Sequence, residues 1–136
     1  MDDIFEKIIK REIPAHIVYE DDKVIAFLDI RPLNKGQTLV VPKNKFRNIL
    51  DGDPETLAHM MKVAQKIAQA QMNELETDGI KILMNNESAG GQEVFHAHIK
   101  VIPCFSDREI LPENNPVACT DEEFLEVKET LAKVLA

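Results

Sequence analysis

One segment constrains the fold of this chain more than any other. Leu57, Met60, Met61, Ala64, Ile67, Ala68, Met72 and Leu75 recur at steps of three and four residues. That spacing predicts a helix from Pro54 to about Leu75 with a single apolar stripe. Asp53 suits its N-cap and Pro54 its first position, and Asp78-Gly79 ends it. A helix that is apolar on one side only needs another layer to cover that side. The remaining apolar runs are short and partly β-branched, so that layer is a sheet.

Those runs can be placed in order. Ile4, Phe5, Ile8 and Ile9 have helical spacing and stop before Pro14. Ile17 to Tyr19, a turn at Glu20-Asp21-Asp22, and Val24 to Leu28 read as a hairpin. Pro32 to Gly36 reads as a loop, and Thr38 to Val41 as a buried strand ending at Pro42. Ile80 to Met84 reads as a strand, Asn85 to Gly91 as a polar loop, and Val94 to Ile102 as a strand ending at Pro103. Residues 104 to 118, with Pro112 and Pro116, read as irregular. A closing helix is predicted over about 120–136, with Thr120 as N-cap and Phe124, Leu125, Val127, Leu131, Val134 and Leu135 as its apolar positions. Short connections favour antiparallel pairing. The expected class is α+β: an antiparallel sheet with a long helix and an N-terminal helix. The 136 residues fit one domain, 1–136, and 44% of them are hydrophobic, enough for a core.

The net charge of −8 argues against a nucleic-acid polymer as partner, although a local site can still hold a small anion. No apolar run approaches the roughly 20 residues that span a bilayer. The acidic start Met1-Asp2-Asp3 is unlike a signal peptide, so the expected location is cytoplasmic. Cys104 and Cys119 lack a Cys-x-x-Cys spacing and read as ordinary thiols.

Chemistry concentrates near His96-Ala97-His98. If Val94 to Ile102 is one strand, His96, His98 and Lys100 share a face, with steps of about 6–7 Å between them. Ala97, Ile99 and Val101 then face a core. Imidazole can act as nucleophile or proton carrier near neutral pH, and an ammonium beside it offsets phosphate charge. Gly90-Gly91 can turn backbone N–H groups toward an anion, and Asn86 adds an amide donor. A polar sheet face and a metal site remain alternatives at this point. His-x-His supplies only two ligands where zinc takes three or four, and the other histidines are His16 and His59.

Beyond these residues the chain resembles the histidine-triad (HIT) family, and within it the Hint-like nucleoside phosphoramidases. The resemblance rests on Ile4 to Ile9, Glu12-Ile13-Pro14-Ala15, Tyr19 to Asp22, Ala26 to Ile30, Leu39 to Lys43, Asn86-Glu87, and Gly91-Gln92 through Ile102. It covers residues 1–103 and leaves the C-terminal segment without a motif. It implies a homodimer whose strands continue across the interface, and a site for a purine nucleoside monophosphate or phosphoramidate. Phe5, Ile8, Phe27 and Ile30 would line the base and sugar pocket, and Asp29 would accept from both ribose hydroxyls. Asn86, Gly91, Gln92, Glu93 and Val94 would surround the phosphate. His98 would attack phosphorus to form a nucleotidyl-histidine, with His96 and Lys100 as the other triad positions.

The chain departs from that pattern in several places. Lys100 stands where the family has its third histidine, Gln37 and Lys45 stand where histidines are frequent, and Asp3 and Glu6 replace two cysteines. In zinc-containing members, thiols and imidazoles at positions 3, 6, 45 and 100 hold a structural metal. No metal or other cofactor is therefore expected here, and ion pairs of Asp3 and Glu6 with Lys45 and Lys100 are expected instead. Glu93 replaces a hydroxyl residue; it points away, donates as an acid to the leaving group, or slows the enzyme. The expected function is a nucleotide-binding hydrolase or transferase acting on phosphoramidates or related adenylates. The alternatives are a purine-nucleotide-binding or protein-interaction module with little catalysis, and a dinucleoside polyphosphate hydrolase.

Overall fold

Strands β2 (Val24–Leu28) and β3 (Thr38–Pro42) are buried along nearly their whole length, so both faces of the sheet are covered. The protein is seen here as a computed structural model that describes residues 1–107, 118, 120–123 and 125–126. Around β2 and β3 lie β1 (Ile17–Glu20), β4 (Gly79–Leu83) and β5 (Ile99–Cys104), in the order β1-β2-β3-β5-β4. Every neighbouring pair is antiparallel. Two helices flank the sheet among the described residues, α1 (Ile4–Ile9) and α2 (Pro54–Glu74). The α+β architecture expected from the sequence is the one observed.

Each face has its own core. Val24 and Ala26 of β2, Val40 of β3, and Ile99 and Val101 of β5 meet Met60, Val63, Ala64 and Ile67 of α2. On the other face, Ile25, Phe27, Leu39 and Val41 meet Phe5 and Ile8 of α1, with Val94 packed against them. Strand alternation sends successive side chains to the two cores.

The caps behave as their chemistry requires. Asp53 accepts from the Thr56 N–H, and Pro54 opens α2. Asp3 and Glu6 form a reciprocal capping box on α1. The β1–β2 turn closes on Asp21, which accepts from the Lys23 and Val24 N–H groups and the Tyr19 hydroxyl and lies 2.7 Å from His59 Nε2. Burial opposes ionisation of Asp21, but these donors outweigh it and hold the carboxyl below the usual range.

Several expectations need correction. The stripe on α2 is narrower than its apolar pattern: Met61, Met72 and Leu75 are exposed, while Val63 and Gln71 are buried. Gln71 is polar yet buried because its amide donates to the Gly36 and Val101 carbonyls. Gly79 belongs to β4 rather than to the end of the helix. The largest change concerns β5. It begins at Ile99 instead of Val94 and runs past Pro103 to Cys104, so His96 and His98 precede the strand. The Ala97 N–H bonds the Phe46 carbonyl of a loop, which takes the chain off the ladder there. At the C-terminal end, Thr120 caps a helical turn beginning at Asp121. The rest of the closing helix, most of the irregular 104–118 stretch, and Cys119 lie outside the described residues. Among the described residues, no helix is long and apolar enough to cross a membrane.

The two faces of α2 predict contrasting effects. Met60→Ala, at a fully buried site, is expected to cost about 2–5 kcal/mol of stability. Met61→Ala, on the exposed side, is expected to stay within about 0.5 kcal/mol. Denaturant unfolding of both variants checks the assignment, and equal losses would contradict it.

Candidate active site

The site forms where the Val94–His98 segment crosses α1 and the loops after β2 and β3. His96 is fully buried. Its Nε2 donates to the Pro42 carbonyl at 2.8 Å, and its Nδ1 lies 3.1 Å from Asp3 Oδ2. Both ring nitrogens are therefore engaged within the protein. His96 packs edge-on against Phe5, with centroids 5.7 Å apart, but it offers no free ring nitrogen and instead locks α1 to the end of β3.

His98 is set up differently. Its Nδ1 lies 2.8 Å from the His96 carbonyl oxygen. A carbonyl only accepts, so Nδ1 carries the proton and Nε2 keeps the lone pair. The ring packs edge-on against Phe5, with centroids 5.0 Å apart. Burial, the largest influence, makes His98 harder to protonate than an ordinary histidine. The Nδ1 bond opposes that shift, the charges of Lys100 and His96 add to it, and Asp29 opposes it. His98 is thus biased toward the neutral form with a free Nε2, the form a nucleophile needs.

Lys100 lies on β5 between Ile99 and Val101, both of which pack under α2. Alternation turns it to the opposite face, the face of α1 and His98. It makes no ion pair with Asp3 or Glu6, which corrects that expectation. Lys45 alone holds both carboxylates, at 3.0 Å from Asp3 and 3.3 Å from Glu6. The fourth member of the cluster is His96, next to Asp3. These residues do not fit a zinc ion. An ammonium stands where a ligand would be needed, and both imidazole nitrogens of His96 are taken. Among the described residues, no group of three or more His, Cys, Asp or Glu side chains is arranged to hold a metal.

The residues expected around the phosphate divide into struts and exposed positions. Gln92 is buried, with Oε1 accepting from Asn48 Nδ2 and the Glu87 N–H and Nε2 donating to the Arg47 and Val94 carbonyls. It braces the loop and has no donor left over. Asn86 accepts from the Ile49 N–H and donates to the Met84 carbonyl. Gly91 is exposed with φ 92°, a backbone conformation that suits glycine. Glu93 is also exposed and makes no ion pair with a described residue.

The pocket residues are similarly split. Phe5, Ile8 and Phe27 are at least 94% buried and form core, whereas Ile30 is 79% exposed. Asp29 is half-buried and accepts from the Arg31 N–H and Gln37 Nε2.

Sequence reasoning missed Arg47, Asn48 and Phe95. Arg47 grips Glu87 with two nitrogens, at 2.8 and 3.0 Å, and stacks 4.3 Å over the Phe95 ring. Asn48, fully buried, donates to Glu87 as well. Arg47, then Asn48, holds the Glu87 carboxyl down at about 2. Arg47 and Asn48 lie in a loop without periodicity, so no spacing marks them; Glu87 and Phe95 stand in stretches shared with the family.

The HIT domain family model matches residues 10–107. The chain belongs to the HIT family. A HIT-like protein of Mesomycoplasma hyorhinis is 46% identical over 104 residues, covering 76% of this chain and 94% of its own. The solved structure of a HIT family member from Bacillus subtilis superposes with a TM-score of 0.87 at 36% identity, covering 98% of this chain and 96% of that one. A HIT family hydrolase from Legionella pneumophila superposes at 0.66 with 38% identity, covering 74% and 91%. This HIT domain therefore shares its antiparallel α+β architecture with proteins that include a hydrolase.

The electrostatics of His98 predict the effect of its neighbour. In Lys100→Gln, the His98 ring is expected to titrate at higher pH than in the native protein, because a positive charge that opposes protonation is gone. NMR titration of the ring protons measures it. An unchanged or lower midpoint would show that Lys100 does not act on His98.

Proposed function

We propose that this HIT domain is a nucleotide-binding hydrolase or transferase of the Hint-like kind, attacking the α-phosphate of purine nucleoside phosphoramidates or related adenylates. The observation that carries the reading is the state of His98: buried, tied through Nδ1 to the His96 carbonyl, and biased to neutrality. In the proposed reaction, the Nε2 lone pair attacks phosphorus. The bond from phosphorus to the leaving nitrogen breaks, and the amine departs with a proton from solvent. Water then attacks the nucleotidyl-histidine, the P–Nε2 bond breaks, and the nucleoside monophosphate leaves. Splitting one displacement into two lowers each barrier.

The other assignments follow the same frame. Asp29 would take the ribose hydroxyls, and Ile30 would offer the purine an uncovered apolar surface. Gly91, Glu93 and Val94 would supply backbone around the phosphate, on a loop braced by Asn86 and Gln92. The reading needs no resident metal, since Lys45 holds Asp3 and Glu6.

His98→Ala is expected to keep AMP binding within a few-fold and to lose turnover of an adenosine phosphoramidate by at least about 1000-fold. Calorimetry beside a product assay reads both, and the native rate is expected to survive EDTA. Turnover by the variant at the native rate rejects His98 as nucleophile. Tight AMP binding by a native protein that turns over nothing would favour a binding module, and faster cleavage of diadenosine polyphosphate would favour that substrate class.

The proposal extends to a homodimer. Among the described residues, β4 pairs only with β5, which leaves its outer edge open. Beside that edge runs a groove of about 660 Å³ between α2 and β4, lined by Met61, Ala68, Ile80 and Ile82 among others. An open strand edge beside an apolar groove suits a second copy pairing edge to edge. Sedimentation is expected to give a dimer for the native chain and a monomer for Ile82→Lys; a native monomer would reject the assembly.

A further inference from the structure

We propose that Gln37 is the specificity-determining residue behind Asp29: it fixes the plane of that carboxylate and so makes the site selective for ribose over deoxyribose. The inference rests on the reading of Asp29 as the ribose acceptor and names the residue that makes it work.

Gln37 is 2% exposed at the entrance to β3, and its amide is used at both ends. Nε2 donates to Asp29 Oδ2 at 3.0 Å, and Oε1 accepts from the Leu33 N–H at 2.8 Å. The backbone closes around the same pair. The Asp29 N–H donates to the Gln37 carbonyl at 2.9 Å, and the Gln37 N–H donates to the Asn34 carbonyl at 3.1 Å. Asp29 Oδ1 is held separately by the Arg31 N–H at 2.9 Å.

The consequence follows from lone-pair counting. Each carboxylate oxygen has two acceptor positions. On Asp29 each oxygen spends one on the protein, so each keeps one for a ligand. Two oxygens with one open position apiece match a vicinal diol. That match requires the carboxylate not to rotate about its terminal torsion, which is broad and roughly two-fold for aspartate when nothing holds it. The Arg31 N–H restrains one oxygen and Gln37 restrains the other. A neutral amide also leaves the carboxylate charge undiminished, where a cationic partner would compete with the incoming hydroxyls.

The test compares AMP with 2′-deoxyAMP by calorimetry in the native protein and in Gln37→Leu, Gln37→His and Asp29→Asn. A hydroxyl donating to a charged acceptor supports a native preference for AMP of roughly ten- to a hundredfold. Gln37→Leu is expected to reduce that ratio to below about threefold, while far-UV circular dichroism and binding of phosphate-bearing ligands persist. Gln37→His, which keeps an N–H donor, is expected to retain most of the ratio and guards against a Leu variant that fails to fold. If the native protein prefers AMP, Asp29→Asn abolishes the preference, and both Gln37 variants keep it in full, the role of Gln37 is overturned while Asp29 stands. If the native protein shows no preference, or Asp29→Asn leaves it intact, the ribose reading itself falls and takes the inference with it.

Discussion

The site depends on one fully buried histidine whose ring nitrogens are both engaged within the protein. His96 joins three parts of the chain at once. Its ring spans from Asp3 at the head of α1 to the Pro42 carbonyl at the end of β3. Its own carbonyl accepts a hydrogen bond from His98 Nδ1. The side chain therefore fixes where the segment lies, and the backbone fixes which nitrogen of the next histidine is free. A leucine here would fill space but leave the Pro42 carbonyl and the Asp3 carboxylate without this partner, and an unsatisfied buried polar group costs about 1–3 kcal/mol.

Charge is arranged around this hub in small closed sets. Asp3 would resist ionisation through burial alone, but the Glu6 N–H, Lys45 and His96 together hold its carboxyl below the usual range. Lys45 in turn is held protonated by Asp3 first and Glu6 second. Arg47, Glu87, Asn48 and Gln92 form a second set that braces the loop before His96. Glu87 sits there at φ 69°, unusual for a residue with a side chain, and its carboxylate and N–H bonds hold it in place. A protein with a net charge of −8 thus pairs Asp3, Glu6 and Glu87 internally.

Much of the fold was legible because periodicity and caps are local signals. The helix at Pro54, its Asp53 cap, the hairpin, and the strand from Thr38 all follow from residues within a few positions of one another. The site was legible only in part. Alternation predicted a row of His96, His98 and Lys100 on one strand, but the strand starts only at Ile99, with the Ala97 N–H bonded to the Phe46 carbonyl and both ring nitrogens of His96 engaged within the protein. The bond from Ala97 to Phe46 joins residues 51 positions apart, and no local pattern records it. Gln92 is a similar case: a motif position says that it matters, yet its four partners show it to be a brace. The ion pairing of Asp3 and Glu6 was foreseen by charge balance, while its partner set was half wrong because Lys100 and His96 exchange places.

That exchange has a chemical consequence. An imidazole at position 100 would be a third group able to pass a proton near neutral pH. Lys100 instead brings a charge to the face where His98 lies, and that charge acts on His98 by making protonation harder. Burial acts in the same direction, so the two effects reinforce each other. His98 is thereby biased toward its unprotonated form by its surroundings. In the proposed reaction, such a site would give up proton relay in exchange for a lone pair that persists on the acid side of neutrality, where an ordinary histidine begins to lose it.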